Sequence, residues 1–384
     1  MRFIHTSDWH LGRLFHGQHL TNDQAYVLTQ FCDLVEESKA QAVVIAGDIY
    51  DRAVPPTDAV ELLDDTLAKL VLKAKVPVIL IAGNHDSPER INFGSQLLAK
   101  QGLYVIGNLT KEILPICLED RYGEVEFMPF PYAEPALVRA VFGGENLIDA
   151  NAPMEFLIAR SQRFLSAQSR KVAIAHAFIA GGTVSESERT LSVGGSSYVE
   201  NRLFQPFHYT ALGHLHNAQL AGGENIRYSG SLLKYSFDEA TQKKGIQIVD
   251  MGKDGQVAVE TIQLTPKHDV KIIEGDFYTI LQNRNLHPSS NDYISVKLSN
   301  REPILDVFGQ LSEIYPNLMQ VERPTFMMDG EFSEKKIDHR KMSENELFSL
   351  FYEQVTGEAI TKEESKVFAD NLEELMLIER EVKL

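Results

Sequence analysis

Side chains of the types that bind metal ions follow short apolar runs at several places in the sequence. The run at residues 78–82, for example, does not alternate with polar residues, which predicts a strand covered on both faces, and it ends in Gly83, Asn84 and His85. One such stretch alone is typical of a polar turn after a strand, but its recurrence favours a shared site. The polar residues that occupy these positions are Asp8, His10, Asp48, Asn84, His85, His176, His214 and His216.

The chemistry of this set is that of carboxylate, amide and imidazole, without sulfur. Such donors suit Mn²⁺, Fe²⁺, Mg²⁺ or Zn²⁺ rather than a structural thiolate site. Because eight groups are too many for one tetrahedral ion, we expect two ions about 3.5 to 4 Å apart, bridged by one carboxylate. We choose Asp48 as the bridge. A metal pair of this kind stabilises the attacking and leaving oxygens of phosphoryl transfer.

Gly47, Gly83 and Gly213 each precede one of these polar residues. A residue without Cβ permits a sharp turn and a close backbone approach to bound ions. This regularity supports the metal-site interpretation over that of ordinary turns.

The apolar runs predict strands that position these side chains, at residues 2–5, 42–46, 78–82, 171–177 and 209–216. Helical patterns separate the early runs: Thr21 and Gln24 predict a capping box at the start of one helix, and Thr57 precedes another. The order β-α-β-α-β-α predicts a mostly parallel sheet. Parallel strands end at one edge of a sheet, so we expect all the polar groups to meet at that edge.

Five elements in this order resemble the calcineurin-like metallophosphoesterases: Asp8-x-His10, Gly47-Asp48-x-x-Asp51-Arg52, Gly83-Asn84-His85-Asp86, His176 and Gly213-His214-x-His216. The segments at residues 6–12, 180–195 and 227–239 narrow the resemblance to the SbcD nuclease subunits of the recombination nuclease family. The resemblance covers residues 1 to about 265 closely. It implies an α/β metallophosphoesterase sandwich, with two sheets flanked by helices, a small α/β capping domain and a C-terminal helical pair.

The resemblance also implies roles for individual residues. One ion would be held by Asp8, His10 and His216, the other by Asn84, His176 and His214, with Asp48 shared. His85 would stabilise the transition state or protonate the leaving oxygen, and Asp51 would orient that imidazole. Arg52 is assigned either to a substrate phosphate or to a structural ion pair, and the sequence leaves this choice open.

The activity implied by the resemblance is that of a Mn²⁺-dependent DNA nuclease, with 3′ to 5′ double-strand exonuclease and single-strand or hairpin endonuclease activity. Its implied partners are an SbcC-type ATPase, DNA and a second copy of the chain. A metallophosphoesterase for small nucleotides or phosphoproteins would share every ligand without needing a capping domain. A non-catalytic scaffold is expected to lack some ligands, and here none is missing.

Composition limits the other possibilities. The chain of 384 residues has a formal net charge of −17, which argues against a surface that binds nucleic acid throughout. Positive potential would have to come from bound metal ions, a basic rim or a partner. Cys32 and Cys117 are far apart and do not suggest a disulfide framework. The sequence opens without a signal-like segment and has no apolar run of membrane length, so we expect a cytoplasmic protein.

The sequence character changes after Pro266. Residues 1–265 would form the nuclease domain, 266–325 a capping domain, 326–342 a linker and 343–384 two helices. Capping boxes are predicted at Ser343 with Glu346 and at Thr361 with Glu364. Two short helices after a linker must fold back on the body or bind a partner, and the resemblance favours the ATPase.

Overall fold

The computed structural model describes residues 1–143, 151–188, 198–282, 291–300, 302, 304–323 and 344–381. The predicted linker and Ser343 lie outside the described residues. The first strands in chain order are β1 (Arg2–Thr6), β2 (Leu14–Phe15), β3 (Gln18–His19), β4 (Ala42–Ile45), β5 (Val78–Ile81), β6 (Leu103–Ile106), β7 (Ile116–Asp120) and β8 (Gly123–Phe130). The following strands are β9 (Arg170–His176), β10 (Tyr209–Gly213), β11 (Gln219–Gly223), β12 (Ile226–Tyr228), β13 (Gly245–Met251), β14 (Val257–Gln263), β15 (Val270–Gly275), β16 (Tyr293–Leu298) and β17 (Leu318–Glu322).

Two six-stranded sheets form the larger part of the molecule. Their strand orders are β14-β13-β1-β4-β5-β6 and β11-β12-β10-β9-β8-β7. Strands β1, β4, β5 and β6 are mutually parallel in the first sheet, and β12, β10, β9 and β8 are parallel in the second. The prediction of mostly parallel pairing is therefore confirmed, and the outer strands β14, β13, β11 and β7 pair in the antiparallel sense.

The central strands are buried on both faces, as the unalternated run at residues 78–82 predicts. Ile79 and Ile81 point into the apolar layer between the two sheets, where they join Phe127 of the second sheet. Val78 and Leu80 point the other way, toward the helices outside the first sheet. The two sheets thus pack face to face as a sandwich, which is the arrangement that the resemblance implies.

The described residues form ten α-helices. They are α1 (Thr21–Glu37), α2 (Thr57–Ala68), α3 (Pro88–Ile91), α4 (Ser95–Leu98), α5 (Pro135–Phe142), α6 (Asn151–Ser161), α7 (Phe277–Gln282), α8 (Val307–Ser312), α9 (Glu344–Thr356) and α10 (Lys362–Glu381). A π-helical turn, Lys69–Lys73, extends α2, and 3₁₀ turns lie at Ala99–Gln101, Gln162–Phe164, Asn201–Phe204 and Phe237–Thr241.

The capping box predicted at the start of α1 is wrong. The Thr21 hydroxyl donates to the Asp58 carboxylate at 2.7 Å instead of capping the helix. Gln24 Oε1 accepts the N–H of Gly12 at 3.0 Å, and Gln24 Nε2 donates to the His10 carbonyl at 2.8 Å. The two side chains are therefore used for contacts with residues far from the helix end.

A smaller α/β unit follows the sandwich. Its strands form the parallel sheet β15-β16-β17, and α7 and α8 pack on it around a separate apolar core that includes Phe277, Val296 and Leu311. We refer to the described residues 266–323 as the capping unit.

The last two helices contact each other. The Phe348 and Phe368 rings are stacked at 3.7 Å between centroids. Thr361 and Glu364 form the predicted capping box: the Thr361 N–H donates to Glu364 Oε2 at 2.9 Å, and the Glu364 N–H donates to Thr361 Oγ1 at 3.2 Å. Within the described residues, no helix is both long and apolar enough to cross a membrane.

Candidate metal centre

The eight predicted polar residues come together at the ends of strands from both sheets. Those numbered below 100 follow β1, β4 and β5 of the first sheet, whereas His176, His214 and His216 end or follow β9 and β10 of the second. The prediction that they share one edge of a single sheet is therefore wrong. The site lies where the two sheet edges meet, because the second group of strands forms its own sheet.

The loops of the first sheet are joined to one another by their backbones. The N–H of Asp8 donates to the Gly47 carbonyl at 3.0 Å, and the N–H of His10 donates to the Asp48 carbonyl at 3.0 Å. Asp8, His10 and Asp48 have φ values of 53°, 46° and 50°, and His214 has a φ of 112°. Such left-handed backbone is uncommon outside glycine and is typical of functional sites.

The glycines that precede the predicted ligands are tightly enclosed. A Cβ at Gly83 would lie 2.2 Å from the Asp48 nitrogen, and one at Gly213 would lie 2.0 Å from the Ala46 carbonyl oxygen. At Gly47 it would lie 2.4 Å from His176 Nδ1, and φ there is +94°. A Cβ therefore does not fit at any of the three positions, whereas the close approach to bound ions stays a prediction.

Asp48 lies in the middle of the cluster. Its Oδ2 is 3.4 Å from His176 Nε2, 3.7 Å from His10 Nε2 and 4.0 Å from His85 Nε2. Potential ligand atoms lie within 4.8 Å of one another in two groups that share Asp8, one with His10 and His216 and the other with Asp48 and His176. Both carboxylates are thus placed between the imidazoles of the two sheets.

His10 and His216 point the same ring atoms at each other. Their Nε2 atoms are 3.0 Å apart. His216 Nδ1 lies 2.6 Å from Ser187 Oγ and 3.2 Å from Glu239 Oε1. Because the Ser187 hydroxyl donates to the same Glu239 oxygen, both oxygens accept at Nδ1, which leaves the lone pair on Nε2. His10 Nδ1 is buried and has no hydrogen-bond partner among the residues that the structure describes.

Asn84 and His176 form a second set of converging acceptors. His176 Nδ1 donates to the Ala46 carbonyl at 2.9 Å, and His176 Nε2 lies 2.9 Å from Asn84 Oδ1. The His214 ring packs against His176 with centroids 5.6 Å apart, while the His214 N–H donates to both Asp8 oxygens at 3.0 and 3.1 Å. Backbone contacts of this kind fix the direction of the Asp8 carboxylate.

Burial and mutual charge change the pKa values of the cluster. Burial raises the pKa of Asp8 to about 8, whereas His176, His10 and His85 outweigh the burial of Asp48 and hold its pKa well below the usual range. Burial lowers the pKa of His214 to about 3 and also lowers that of His216. These two histidines are therefore neutral, the form in which imidazole binds metal.

The donor set fits a pair of divalent ions. The Nε2 atoms of His10 and His216 face each other, and His176 Nε2 faces both Asn84 Oδ1 and Asp48 Oδ2. Although His176 is buried, Asp48 raises its pKa to about 9, so a positive charge is favoured at this position. Buried acceptors at such distances are stabilised by a cation between them. Oxygen and nitrogen donors without thiolate suit hard or borderline ions.

His85 is held differently from the residues around it. Its N–H donates to Asp48 Oδ1 at 2.8 Å, and its Nδ1 donates to the main-chain carbonyl of Asp51 at 2.7 Å. The sequence predicts that the Asp51 carboxylate orients the ring, and this is wrong: the main-chain carbonyl of Asp51 does so. The Asp51 carboxylate instead accepts a hydrogen bond from Arg13 Nη1 at 2.8 Å. Arg52 is exposed, and its role stays a prediction.

Two residues that support this cluster had no role predicted for them from the sequence. The Asp86 carboxylate accepts the N–H groups of Ile49, Tyr50 and Gly83 at 2.9 to 3.1 Å, so it ties the Asp48 loop to the loop of Asn84 and His85. Burial raises the pKa of Asp86 to about 7. Its position directly after His85 was the available signal. Glu239 lies in the segment 227–239, which the sequence analysis used only to narrow the family resemblance.

Comparison with known proteins decides the family. The model of the family described as calcineurin-like phosphoesterase matches residues 1–217. The chain belongs to this family. Every residue of the predicted ligand set lies within that match. A second model, described as the type 5 capsule protein repressor C-terminal domain, matches residues 266–356.

Full-length relatives narrow the family further. The chain is 33% identical over 366 residues to the SbcD subunit of the SbcCD nuclease from Staphylococcus saprophyticus, a match that covers 95% of this chain and 96% of the relative. It is also 33% identical over 384 residues to the SbcD subunit from Staphylococcus epidermidis, a match that covers 99% of this chain and 100% of the relative. The predicted resemblance to SbcD-type subunits is therefore confirmed.

Among solved structures, one similar to this member of the family is a dimetal phosphatase from Danio rerio. It is 14% identical with a TM-score of 0.38, and the match covers 69% of this chain and 99% of that chain. A likeness at this level supports no conclusion about function.

Proposed function

We propose that this chain is the nuclease subunit of a DNA-processing complex. The proposed activity is Mn²⁺-dependent, with 3′ to 5′ exonuclease action on duplex DNA and endonuclease action on single strands and hairpins. It would work with an SbcC-type ATPase in DNA end processing, replication and recombination. The names of the full-length relatives support the nuclease assignment.

The observation that carries the proposal is the convergence of ligand atoms on Asp48. This carboxylate lies within 3.7 Å of imidazoles from both sheets, His10 and His176. We assign Asp8, His10 and His216 to one ion and Asn84, His176 and His214 to the other, with Asp48 shared. When bound, such a pair activates water and neutralises charge on the phosphoryl oxygens.

His85 is the proposed proton donor to the departing sugar oxygen. The Asp51 carbonyl accepts the proton on Nδ1, so a second proton on this ring resides on Nε2. That atom lies 4.0 Å from Asp48 Oδ2 and faces the cluster. Since the ring is buried, its direction is fixed before substrate arrives.

Partners and location complete the proposal. The net charge of −17 disfavours unassisted binding of long duplex DNA at physiological salt, so a partner must hold the duplex. We assign that contact to the apolar faces of residues 343–384, which would dock on the ATPase in the cytoplasm. The nuclease would act as a homodimer.

Asp48→Ala tests the metal bridge. Without the shared carboxylate, two cations would repel each other across the gap, so we expect metal stoichiometry and nuclease activity to fall together. Metal content is measured by elemental analysis, and cleavage is measured on single-stranded, blunt duplex and hairpin DNA with Mn²⁺, with and without the ATPase. A variant that keeps two tightly bound ions and normal turnover contradicts the assignment. Hydrolysis of small nucleotides by the wild type without cleavage of any DNA would favour a general phosphoesterase instead.

A further inference from the structure

A buried ion pair lies directly behind His216. Glu239 Oε1 lies 3.2 Å from His216 Nδ1 and also accepts from the Ser187 hydroxyl, which is 2.6 Å from the same ring nitrogen. Glu239 Oε2 lies 2.6 Å from Lys244 Nζ. The side chains of Glu239 and Lys244 are 0% and 6% exposed. Lys244 Nζ also donates to the His216 carbonyl at 2.7 Å. The pair therefore holds His216 by both its ring and its backbone.

Further polar contacts connect this pair to the His10 side of the site. The Tyr235 N–H donates to Glu239 Oε2 at 3.2 Å. The Tyr235 ring meets the His10 and His216 rings edge to face, with centroids 5.4 and 5.8 Å apart. Glu239 and Tyr235 thus contact, from one side, the His10 and His216 imidazoles whose Nε2 atoms face each other.

Glu239 and the residues next to it also contact the capping unit. Glu239 lies in the 3₁₀ turn Phe237–Thr241, which packs against β15. Lys234, just before this turn, forms an ion pair with Asp269 at 2.8 Å. The junction also contains a cavity of about 280 Å³, lined in part by Lys244 and by Tyr293 of β16.

A second contact joins the capping unit to α1. The Asp23 carboxylate accepts from His268 Nδ1 at 2.7 Å and from the Tyr293 hydroxyl at 3.0 Å. The next residue, Gln24, donates to the His10 carbonyl at 2.8 Å. Both halves of the His10–His216 pair are therefore within a few contacts of the capping unit.

We propose that Glu239 and Lys244 are positioning residues for His216. We also propose that the contacts between the capping unit and the larger part of the molecule determine how tightly the site of Asp8, His10 and His216 binds its ion. A carboxylate that accepts the second proton of a ligating imidazole fixes its tautomer and orientation. The ion assigned to Asn84 and His176 lacks this connection, because His176 Nδ1 donates to the Ala46 carbonyl instead. The inference rests on the proposed two-metal site.

Glu239→Gln tests the positioning role by Mn²⁺ titration calorimetry on the full chain. We expect one of the two ions to bind about 10- to 100-fold more weakly while the affinity for the other is unchanged. Since this change leaves Lys244 buried without its charge partner, the double variant Glu239→Gln with Lys244→Met provides a second measurement without an unpaired charge. We expect the same selective loss there. Unchanged affinities in a folded variant would overturn the positioning role.

The capping-unit part is tested by Asp269→Ala combined with Tyr293→Phe, which removes the ion pair with Lys234 and the hydroxyl contact with Asp23. We expect a several-fold loss of affinity for the same ion. Lys297→Ala is the matched control, because its contact with Glu322 lies within the capping unit, between β16 and β17. Equal affinities in the double variant and the control would refute the coupling.

The wild-type titration separates this inference from the proposed function. A wild-type chain that does not bind two Mn²⁺ ions would overturn the proposed function and this inference with it. A wild type that binds two ions and cleaves DNA, beside a Glu239→Gln variant with both affinities unchanged, would overturn only the inference.

Discussion

Gly83→Ala is a one-carbon change that should disable the metal centre. The new Cβ would lie 2.2 Å from the Asp48 nitrogen and 2.2 Å from its Oδ1, whereas ordinary van der Waals contact begins at 3.4 Å. Both atoms belong to the proposed bridging residue: one is a backbone atom, and the other is the end of a short, buried side chain. Relief therefore requires the Asp48 backbone to move.

The size of the effect follows from that displacement. The Asp48 loop must move by about 1 Å, and a misplacement of this size at a reacting centre costs about 10²-fold in rate. Overpacking a close-packed interior also costs about 1–3 kcal/mol of the free energy of unfolding. The surroundings offer little room, because the Asp48 side chain is 2% exposed.

Three measurements on the same preparation check this prediction: bound metal by elemental analysis, hydrolysis of a phosphodiester in Mn²⁺, and unfolding in urea. Gly252→Ala is the matched control, because a Cβ there has the Gln256 carbonyl oxygen at 3.6 Å as its nearest neighbour. We expect the control to keep its metal content and its activity. If Gly83→Ala also keeps both, the close approach of Gly83 to Asp48 is not needed for the site, and the reasoning fails.

Three further predictions concern the chemistry, the stability and the partner. His85→Ala should retain both ions but lose about 10²- to 10⁴-fold in cleavage, the range for a positioned proton donor, and release of metal in that variant would make His85 a ligand. Asp120→Asn should lower the free energy of unfolding by about 3–5 kcal/mol, since it leaves the buried Arg170 without its partner. Arg170 holds the pKa of Asp120 below its usual range. The stabilisation from this ion pair should therefore be constant above about pH 5 and be lost in acid, below the pKa of about 3.9 that Asp120 has in the unfolded chain. Midpoints of urea unfolding at a series of pH values measure this dependence. A chain that ends near residue 335 should still bind Mn²⁺ and nick single-stranded DNA but no longer co-purify with SbcC, whereas an intact complex would locate the contact elsewhere.

Local patterns in the sequence identified much of this protein correctly. Runs such as residues 78–82 predicted strands buried on both faces, because a strand covered twice cannot alternate polar and apolar residues. The capping box of Thr361 and Glu364 was predicted, since its contacts span only three residues. The tightly enclosed glycines could be recognised from their positions, each immediately before a proposed ligand.

Where local signals compete with distant contacts, prediction failed. Thr21 and Gln24 have the spacing of a capping box, yet Asp58, Gly12 and the His10 carbonyl take their polar groups. The outcome depended on which groups the fold brings beside the helix end. A sequence window around the helix holds no information about that choice.

The sequence by itself determined which residue types the site contains and their order along the chain, because the ends of strands carry them one after another. Only the tertiary structure decided that they meet between two sheets, that the Asp51 carbonyl rather than its carboxylate holds His85, and that Glu239 stands behind His216. These are contacts between residues 23 to more than 200 positions apart. Such pairs are selected by the packing of the two sheets and the capping unit, and no local propensity specifies them.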